Sequence, residues 1–295
     1  MLSILIPIYN YTVFNLLNSL DIATKDLDFD YEILCCEDGS QLYLDDNKTA
    51  CNSIKNTTHL ILSKNNGSIL TRKLLAKKAK YDWLLFLDAD VELVNDNLIN
   101  NYSNYLKHKY DAIYGGCSYD QTPPDSEYML RWKYGLKYEQ VSAVSRNLKP
   151  FKHLVSANFL IKKDIFLKAS FEIKNRAYGN DLLFASILKS HQSNILHIDN
   201  AVIHKGFDNN LEFLNKSKIA VNTLFKMYLS ENKTESSLLH LFKRLKAFGL
   251  TKIIALLFNF SEKSIKSNLL SGDPKIKLLQ FYKLGYLCSL SLNKE

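Results

Sequence analysis

Four short apolar runs punctuate the N-terminal part of the chain: LSILIPI (2–8), YEILCC (31–36), HLILS (59–63) and DWLLFLD (82–88). Each is strand-length and rich in Ile, Leu or aromatics. Between them, TVFNLLNSLDIA (12–23) and SILTRKLLAKKAK (68–80) carry apolar residues at helical spacing. Strands and helices in alternation, with strands apolar at nearly every position, predict a mostly parallel sheet covered by helices on both faces. Farther on, DAIYGGCSY (111–119) and HLVSANFLI (153–161) read as strands, and MLRWKYGLKYEQ (129–140) as a basic helix. A helix is expected to open at Gly179-Asn180-Asp181, NILHIDNAVIH (194–204) reads as one strand, and a long amphipathic helix runs from about 208 to 229. Beyond 234 the chain reads as Lys-rich amphipathic helices broken at Gly249, Gly272 and Pro274.

In such sheets ligands bind beyond the carboxyl ends of the strands, so the residues after each apolar run matter most. They are Pro7-Ile8-Tyr9-Asn10, Glu37-Asp38-Gly39-Ser40, Lys64-Asn65-Asn66-Gly67 and Asp88-Ala89-Asp90. On an extended segment the side chains of Asp88 and Asp90 share one face. Like charges held that close repel unless a cation sits beside them, which favours a metal or ligand role over the alternative, a solvated turn or the N-cap of a following helix. Asp38 fits either an Asp-Gly turn or a carboxylate accepting from a nucleobase or ribose. Asn66-Gly67 leads into a helix whose N-terminus and Arg72 can meet an anion, although Arg72 can equally pair with a carboxylate. Asp181 is either a first-turn acid favoured by the helix dipole or a general base. His204 ends its strand, and His197 on that strand is expected to face the other way.

Taken together, SILIPIYN, EDGS (37–40), NNG with Arg72 (65–72), LDAD (87–90), YGND (178–181) and His204 resemble the family 2 glycosyltransferases, in order and spacing over roughly residues 1–230. LRWKYG (130–135) and ANFLIKKDIF (157–166) also look like a bacterial subgroup acting in surface-polysaccharide assembly. The resemblance implies a GT-A, Rossmann-like fold, with residues 1–232 catalytic and 233–295 a basic helical C-terminal region. It implies inverting transfer from a nucleotide-sugar, a UDP-sugar by family weight, to a glycan or lipid-linked acceptor. Pro7, Tyr9 and Asp38 would hold the base, with Arg72 beside it and Asn66 and Gly67 in the same loop. Asp88, with Ala89 next to it, would lie against the ribose. Asp90 and His204 would hold Mn²⁺ or Mg²⁺, and Asp181 would be the catalytic base. One departure is Asn180, where many members carry Glu. No QxxRW follows Asp181, which speaks against a processive synthase; Arg131-Trp132 precedes the base and is not that motif.

Composition narrows the alternatives. A sugar-phosphate nucleotidyltransferase would need a Gly-rich, Arg-containing loop after the first strand, where this chain has Pro-Ile-Tyr-Asn. A degenerate, non-catalytic scaffold is opposed by the joint presence of Asp38, Asp88, Asp90, Asp181 and His204. Five cysteines with no CxxC or zinc spacing point to a reducing, cytoplasmic setting, and Cys35 and Cys36, inside the apolar run YEILCC, read as buried free thiols. The apolar N-terminus is too short to span a membrane and lacks a signal peptide's features. The chain carries +8, yet residues 241–295 hold ten Lys and Arg against three acids, leaving residues 1–240 at +1. The excess therefore belongs to the tail rather than to an active-site field. Two readings fit the tail: a solvated helical cap packed on the core, or an interfacial anchor on the inner face of the plasma membrane. No nucleic-acid-binding motif accompanies the charge.

Overall fold

The computed structural model describes residues 1–173, 178–230 and 236–292. The expected boundary at 232/233 lies outside them. The strands among the described residues are β1 (Leu2–Ile8), β2 (Tyr31–Asp38), β3 (Thr57–Leu62), β4 (Trp83–Leu87), β5 (Val91–Leu93), β6 (Ala112–Tyr114), β7 (Cys117–Ser118), β8 (Asn158–Lys162), β9 (Ile195–His197) and β10 (Val202–His204). The helices are α1 (Phe14–Thr24), α2 (Leu44–Ser53), α3 (Ser68–Lys78), α4 (Leu98–Ser103), α5 (Met129–Tyr138), α6 (Ala143–Asn147), α7 (Lys163–Phe171), α8 (Asn180–Ser190), α9 (Asn210–Leu229), α10 (Ser237–Ala247), α11 (Thr251–Leu269) and α12 (Ile276–Leu292). The chain forms two compact units. One comprises Met1–Asp120, Glu139–Arg176 and Ile187–Gly206; the other comprises Gln121–Tyr138, Ala177–Ser186 and Phe207–Glu295.

The first unit holds a seven-stranded sheet in the order β3-β2-β1-β4-β8-β6-β9. All its pairings are parallel except those of β8 with β4 and β6. Both faces are covered, which is why the sequence shows continuous apolar runs and little alternation. Leu2, Ile4, Ile6 and Ile8 of β1 share a core with Leu16, Leu17 and Leu20 of α1 and with Ile99 and Tyr102 of α4. On the other face Phe86 stacks on Phe159 at 4.9 Å and meets Phe166 of α7 at 4.6 Å. Cys35 and Cys36 are buried and free, as expected of thiols in such a run, and Cys51, Cys117 and Cys288 are buried and free as well.

Two expected strands are broken. DAIYGGCSY divides into β6 and β7 at Gly115-Gly116, and NILHIDNAVIH divides into β9 and β10. β6 and β9 pair in the large sheet, whereas β7 and β10 pair in a separate sheet of order β5-β10-β7. His197 and His204 therefore belong to different sheets, and their relation is not the opposite-face one that a single strand would give. HLVSANFLI likewise becomes extended only from Asn158.

The break is stabilised by buried polar side chains. The Arg146 guanidinium, 2% exposed, donates to the carbonyls of Val141, Tyr114, Gly115 and Ile198 and to His197 Nδ1, at 2.8–3.1 Å. Asn158 Nδ2 donates to the carbonyls of Gly116 and Asn200 at 3.1 and 2.7 Å. A Cβ on Gly115 would lie 2.4 Å from Asn200 O, so no larger residue fits there. Gly116 adopts a left-handed φ of 87°, the region glycine enters without a Cβ penalty.

In the second unit, the Asn209 side chain caps α9 with Glu212 in a reciprocal capping box. Asn210 then ties three segments together: it accepts from Leu130 N at 2.8 Å and donates to Ser126 O and Ser271 O. Gly249, at φ 69°, ends α10, and Gly272 and Pro274 separate α11 from α12, as the breakers predict. Gly285 lets α11 approach α12 closely, since a Cβ there would lie 2.4 Å from Phe258. Among the described residues no helix is long and apolar enough to cross a membrane.

Candidate active site

The loop after β1 is fixed by a buried network rooted in β2. Glu37, fully buried, accepts from Ser40 Oγ and from Asn47 Nδ2 at 2.8 Å, and His59 Nε2 lies 3.3 Å from it. Asn47 also accepts from Val13 N and donates to Tyr11 O, both at 2.9 Å. Asn10, at φ 50°, accepts from Gln41 N and Leu42 N. The half-buried Pro7 and the exposed Tyr9 are thereby presented from a braced segment.

Asp38 has both oxygens engaged. Oδ1 accepts from Asn66 N at 2.7 Å and Oδ2 from Gly67 N at 2.8 Å. EDG and NNG are thus two halves of one clamp. Gly39 (φ 71°) is required by it, because a Cβ would fall 2.3 Å from Asn65 N. Gly67 (φ 89°) then delivers the chain into α3. This holding of the loop is a role the sequence did not disclose, since the partners lie 28 and 29 residues apart.

One turn into α3, the buried Arg72 pairs through Nη2 with Asp88, and its buried Nε meets no partner among the described residues. Burial raises the Asp88 carboxyl above its usual range, and Arg72 opposes that rise; Asp90 adds to it and His204 subtracts. The segment Asp88–Asp90 is not an extended continuation of β4. It turns between β4 and β5, so Asp88 answers to Arg72 while Asp90 faces His204. Ala89 is buried between them.

The small sheet brings Asp90 and His204 together. β5 pairs antiparallel with β10, setting His204 opposite Val91, and Lys205 N donates to Asp90 O at 2.8 Å. His204 Nε2 then lies 3.8 Å from Asp90 Oδ2. Tyr119 stacks on the imidazole at 5.7 Å. Gly206 makes room for the carboxylate, because a Cβ there would sit 2.0 Å from Asp90 Oδ2. Lys205 pairs with Asp120 at 2.6 Å and with Glu92 at 3.4 Å, which raises its ammonium pKa. Burial first, then Asp90 and Glu92, raise the Tyr11 phenol.

The donor set fits one hard divalent cation completed by substrate oxygens. Two donors across an ion with bonds of ~2.1 Å would stand ~4.2 Å apart, and the Asp90–His204 separation is within that span. Among the described residues no cluster of three or more His, Cys, Asp and Glu suits a metal.

Asp181 lies in the second unit, exposed on the first turn of α8. The preceding Tyr178-Gly179 is pinned to α9: Thr223 Oγ1 donates to Tyr178 O at 2.9 Å. Gly179 has φ 92°, and a Cβ there would lie 3.2 Å from Ala220 Cα. The other candidates, Pro7 to Asp90 and His204, all belong to the first unit.

No curated protein is similar enough in sequence to match. Among solved structures, the chain is similar to Staphylococcus aureus TarS 1–349 in complex with UDP-GlcNAc (16% identity, TM-score 0.51, 99% of this chain and 92% of that one). It is also similar to the mannosyltransferase PcManGT from Pyrobaculum calidifontis in complex with GDP-Man and Mn²⁺ (10%, TM-score 0.57, 100% and 88%). A third is glucosyl-3-phosphoglycerate synthase from Mycobacterium tuberculosis with Mg²⁺ and UDP (12%, TM-score 0.51, 80% and 81%). These likenesses give the fold, an α/β GT-A-like sheet with C-terminal helices. The sequence pattern of glycosyl transferase family 2 matches residues 3–169, and because that is more than half of its length, the chain belongs to this family and is a glycosyltransferase.

Proposed function

We propose that this enzyme is an inverting, non-processive glycosyltransferase that moves a sugar from a UDP-sugar to a hydroxyl of a glycan or lipid-linked acceptor in bacterial surface-polysaccharide assembly. The observation that carries the reading is the Asp90–His204 pair, held by the β5–β10 ladder at the end of β4. Residues 1–232 supply the catalytic machinery. Pro7, Tyr9 and the loop clamped by Asp38 bind the base, with Asn66 and Gly67 forming its wall. Asp88, oriented by Arg72, contacts the ribose. Asp90 and His204 would hold Mn²⁺ or Mg²⁺, whose charge would offset that developing on the departing diphosphate. Asp181 accepts the proton of the acceptor hydroxyl as its oxygen attacks the anomeric carbon. The C–O bond to the diphosphate breaks on the opposite face, so the configuration inverts. Complexes of the similar proteins with UDP-GlcNAc and with GDP-Man and Mn²⁺ support a nucleotide-sugar donor.

The test is a donor panel scored by nucleotide release, followed by Asp181→Asn with the donor that responds. The expected result is loss of transfer with donor binding retained by calorimetry. Transfer persisting at the wild-type rate in that variant would overturn the assignment of the base.

A further inference from the structure

Helix α11 is apolar on two opposite sides. Thr251, Ala255, Phe258, Ile265 and Leu269 form its buried face. At ~100° per residue, Ile253, Leu256, Leu257 and Phe260 fall within an arc of roughly 100° pointing the other way. These four are 54%, 69%, 54% and 94% exposed. The α10–α11 turn adds Phe248, 73% exposed, and Leu250. A solvated helix normally turns polar residues outward, so a second apolar stripe of this size requires an occupant.

Its charge says which one. Lys252, Lys263 and Lys266 are exposed along one border of the stripe, and Lys243, Arg244 and Lys246 are exposed on α10. Between residues 241 and 270 these six cations face one acid, Glu262. That acid is already engaged, accepting from Tyr282 Oη at 3.2 Å and lying 3.6 Å from Lys218 Nζ. Protein interfaces are enriched in aromatic residues, Met and Arg but depleted in Lys, and five of these six cations are lysines. Aliphatic and phenyl side chains framed by lysines instead match a lipid interface, with the rings at the acyl boundary and ammonium groups among phosphates.

We infer that the outward stripe of α11, with the α10–α11 turn, is an in-plane docking surface for an anionic lipid bilayer. The inference deepens the proposed reading by placing the enzyme on the surface that would carry a lipid-linked acceptor. Vesicle binding is read apart from transfer, so either can fail alone.

The experiment is co-sedimentation of the full chain with phosphatidylcholine vesicles, with and without phosphatidylglycerol, over a salt series. Binding is expected only with the anionic lipid and should fall as salt rises. Phe260→Ser should weaken partitioning about tenfold, and Lys252→Gln with Lys263→Gln should flatten the salt dependence. Both sets of side chains are exposed, so an unchanged thermal unfolding transition serves as the folding control. Turnover of a soluble acceptor should be unaffected. The inference is overturned if anionic vesicles do not sediment the chain, if Phe260→Ser binds like wild type, or if the stripe instead mediates a dimer that Phe260→Ser dissociates while vesicle binding is absent.

Discussion

Replacing Gly206 by Ala tests whether Asp90 must sit where the small sheet puts it. The added Cβ would lie 2.0 Å from Oδ2 of Asp90 and 2.7 Å from both its Cβ and Cγ. Carbon atoms pack at about 3.5 Å, so roughly 1 Å of displacement is needed. Rotating χ1 of Asp90 can remove Oδ2 and Cγ from the contact, but it leaves Cβ where it was. Backbone must therefore move, and the Lys205 N–Asp90 O bond at 2.8 Å and the His204–Val91 pairing couple that movement to both members of the pair. Overpacking of this size costs about 1–3 kcal/mol of stability. A misplacement near 1 Å in a catalytic constellation costs about a hundredfold in rate. The assay is nucleotide release from the responding donor, measured as kcat/KM against Mn²⁺ concentration, beside thermal unfolding of the same preparation. The expected outcome is a folded variant with kcat/KM down about a hundredfold and a metal dependence shifted to higher concentration. Wild-type kcat/KM with an unshifted metal curve would refute the role given to the Asp90–His204 pair.

Asp38→Ala removes the acceptor for two backbone N–H groups and should cost about 2–4 kcal/mol in urea unfolding; donor KM should rise, and Asp38→Asn should recover part of both. Arg146→Met removes five donated hydrogen bonds, to the carbonyls of Val141, Tyr114, Gly115 and Ile198 and to His197 Nδ1, and should destabilise by about 3–5 kcal/mol in urea unfolding. Burial, with Arg146 adjacent, lowers His197 to about 4, against the ordinary 6.5. The unfolded chain then binds the extra proton between those values, so stability falls as pH drops from 6.5 toward 4, by roughly 3 kcal/mol. Chemical denaturation of His197→Gln across that range should show a shallower slope.

The first four strands were legible because burial on both faces writes itself as unbroken apolar runs, and breakers at Gly249, Gly272 and Pro274 mark ends that packing respects. The three-residue strands β5 and β10 were not, since a run that short carries no period to read. Helix α2, LDDNKTACNS, is polar enough to pass for a loop, and it forms beneath β3 with only Asn47, Ala50 and Cys51 buried. Arg146 and Asn158 look like ordinary surface residues in sequence; their partners are backbone carbonyls that only the fold brings near. In α11 the pattern shows two apolar arcs, and nothing local says which one the core takes.

The break in residues 194–204 is what makes the site. Had that run continued as one strand beside β6, His204 would have remained in the large sheet, away from the β5 ladder that holds it at Asp90. Instead the chains after β6 and β9 step together into the small sheet, with Ile198 N bonded to Tyr114 O at 3.1 Å and Asn200 N to Gly115 O at 3.2 Å. Carbonyls buried at such a step are costly to leave under-satisfied. Arg146 and Asn158 satisfy those of Gly115, Gly116, Ile198 and Asn200, and Asn200 Nδ2 takes Leu98 O at 3.0 Å. The sheet change they satisfy leads into β10, whose pairing with β5 sets His204 opposite Val91. Substitutions at Arg146 or Asn158 should therefore act on the site through stability and register, and a folded variant at either position should show a displaced metal dependence before it shows a changed donor preference.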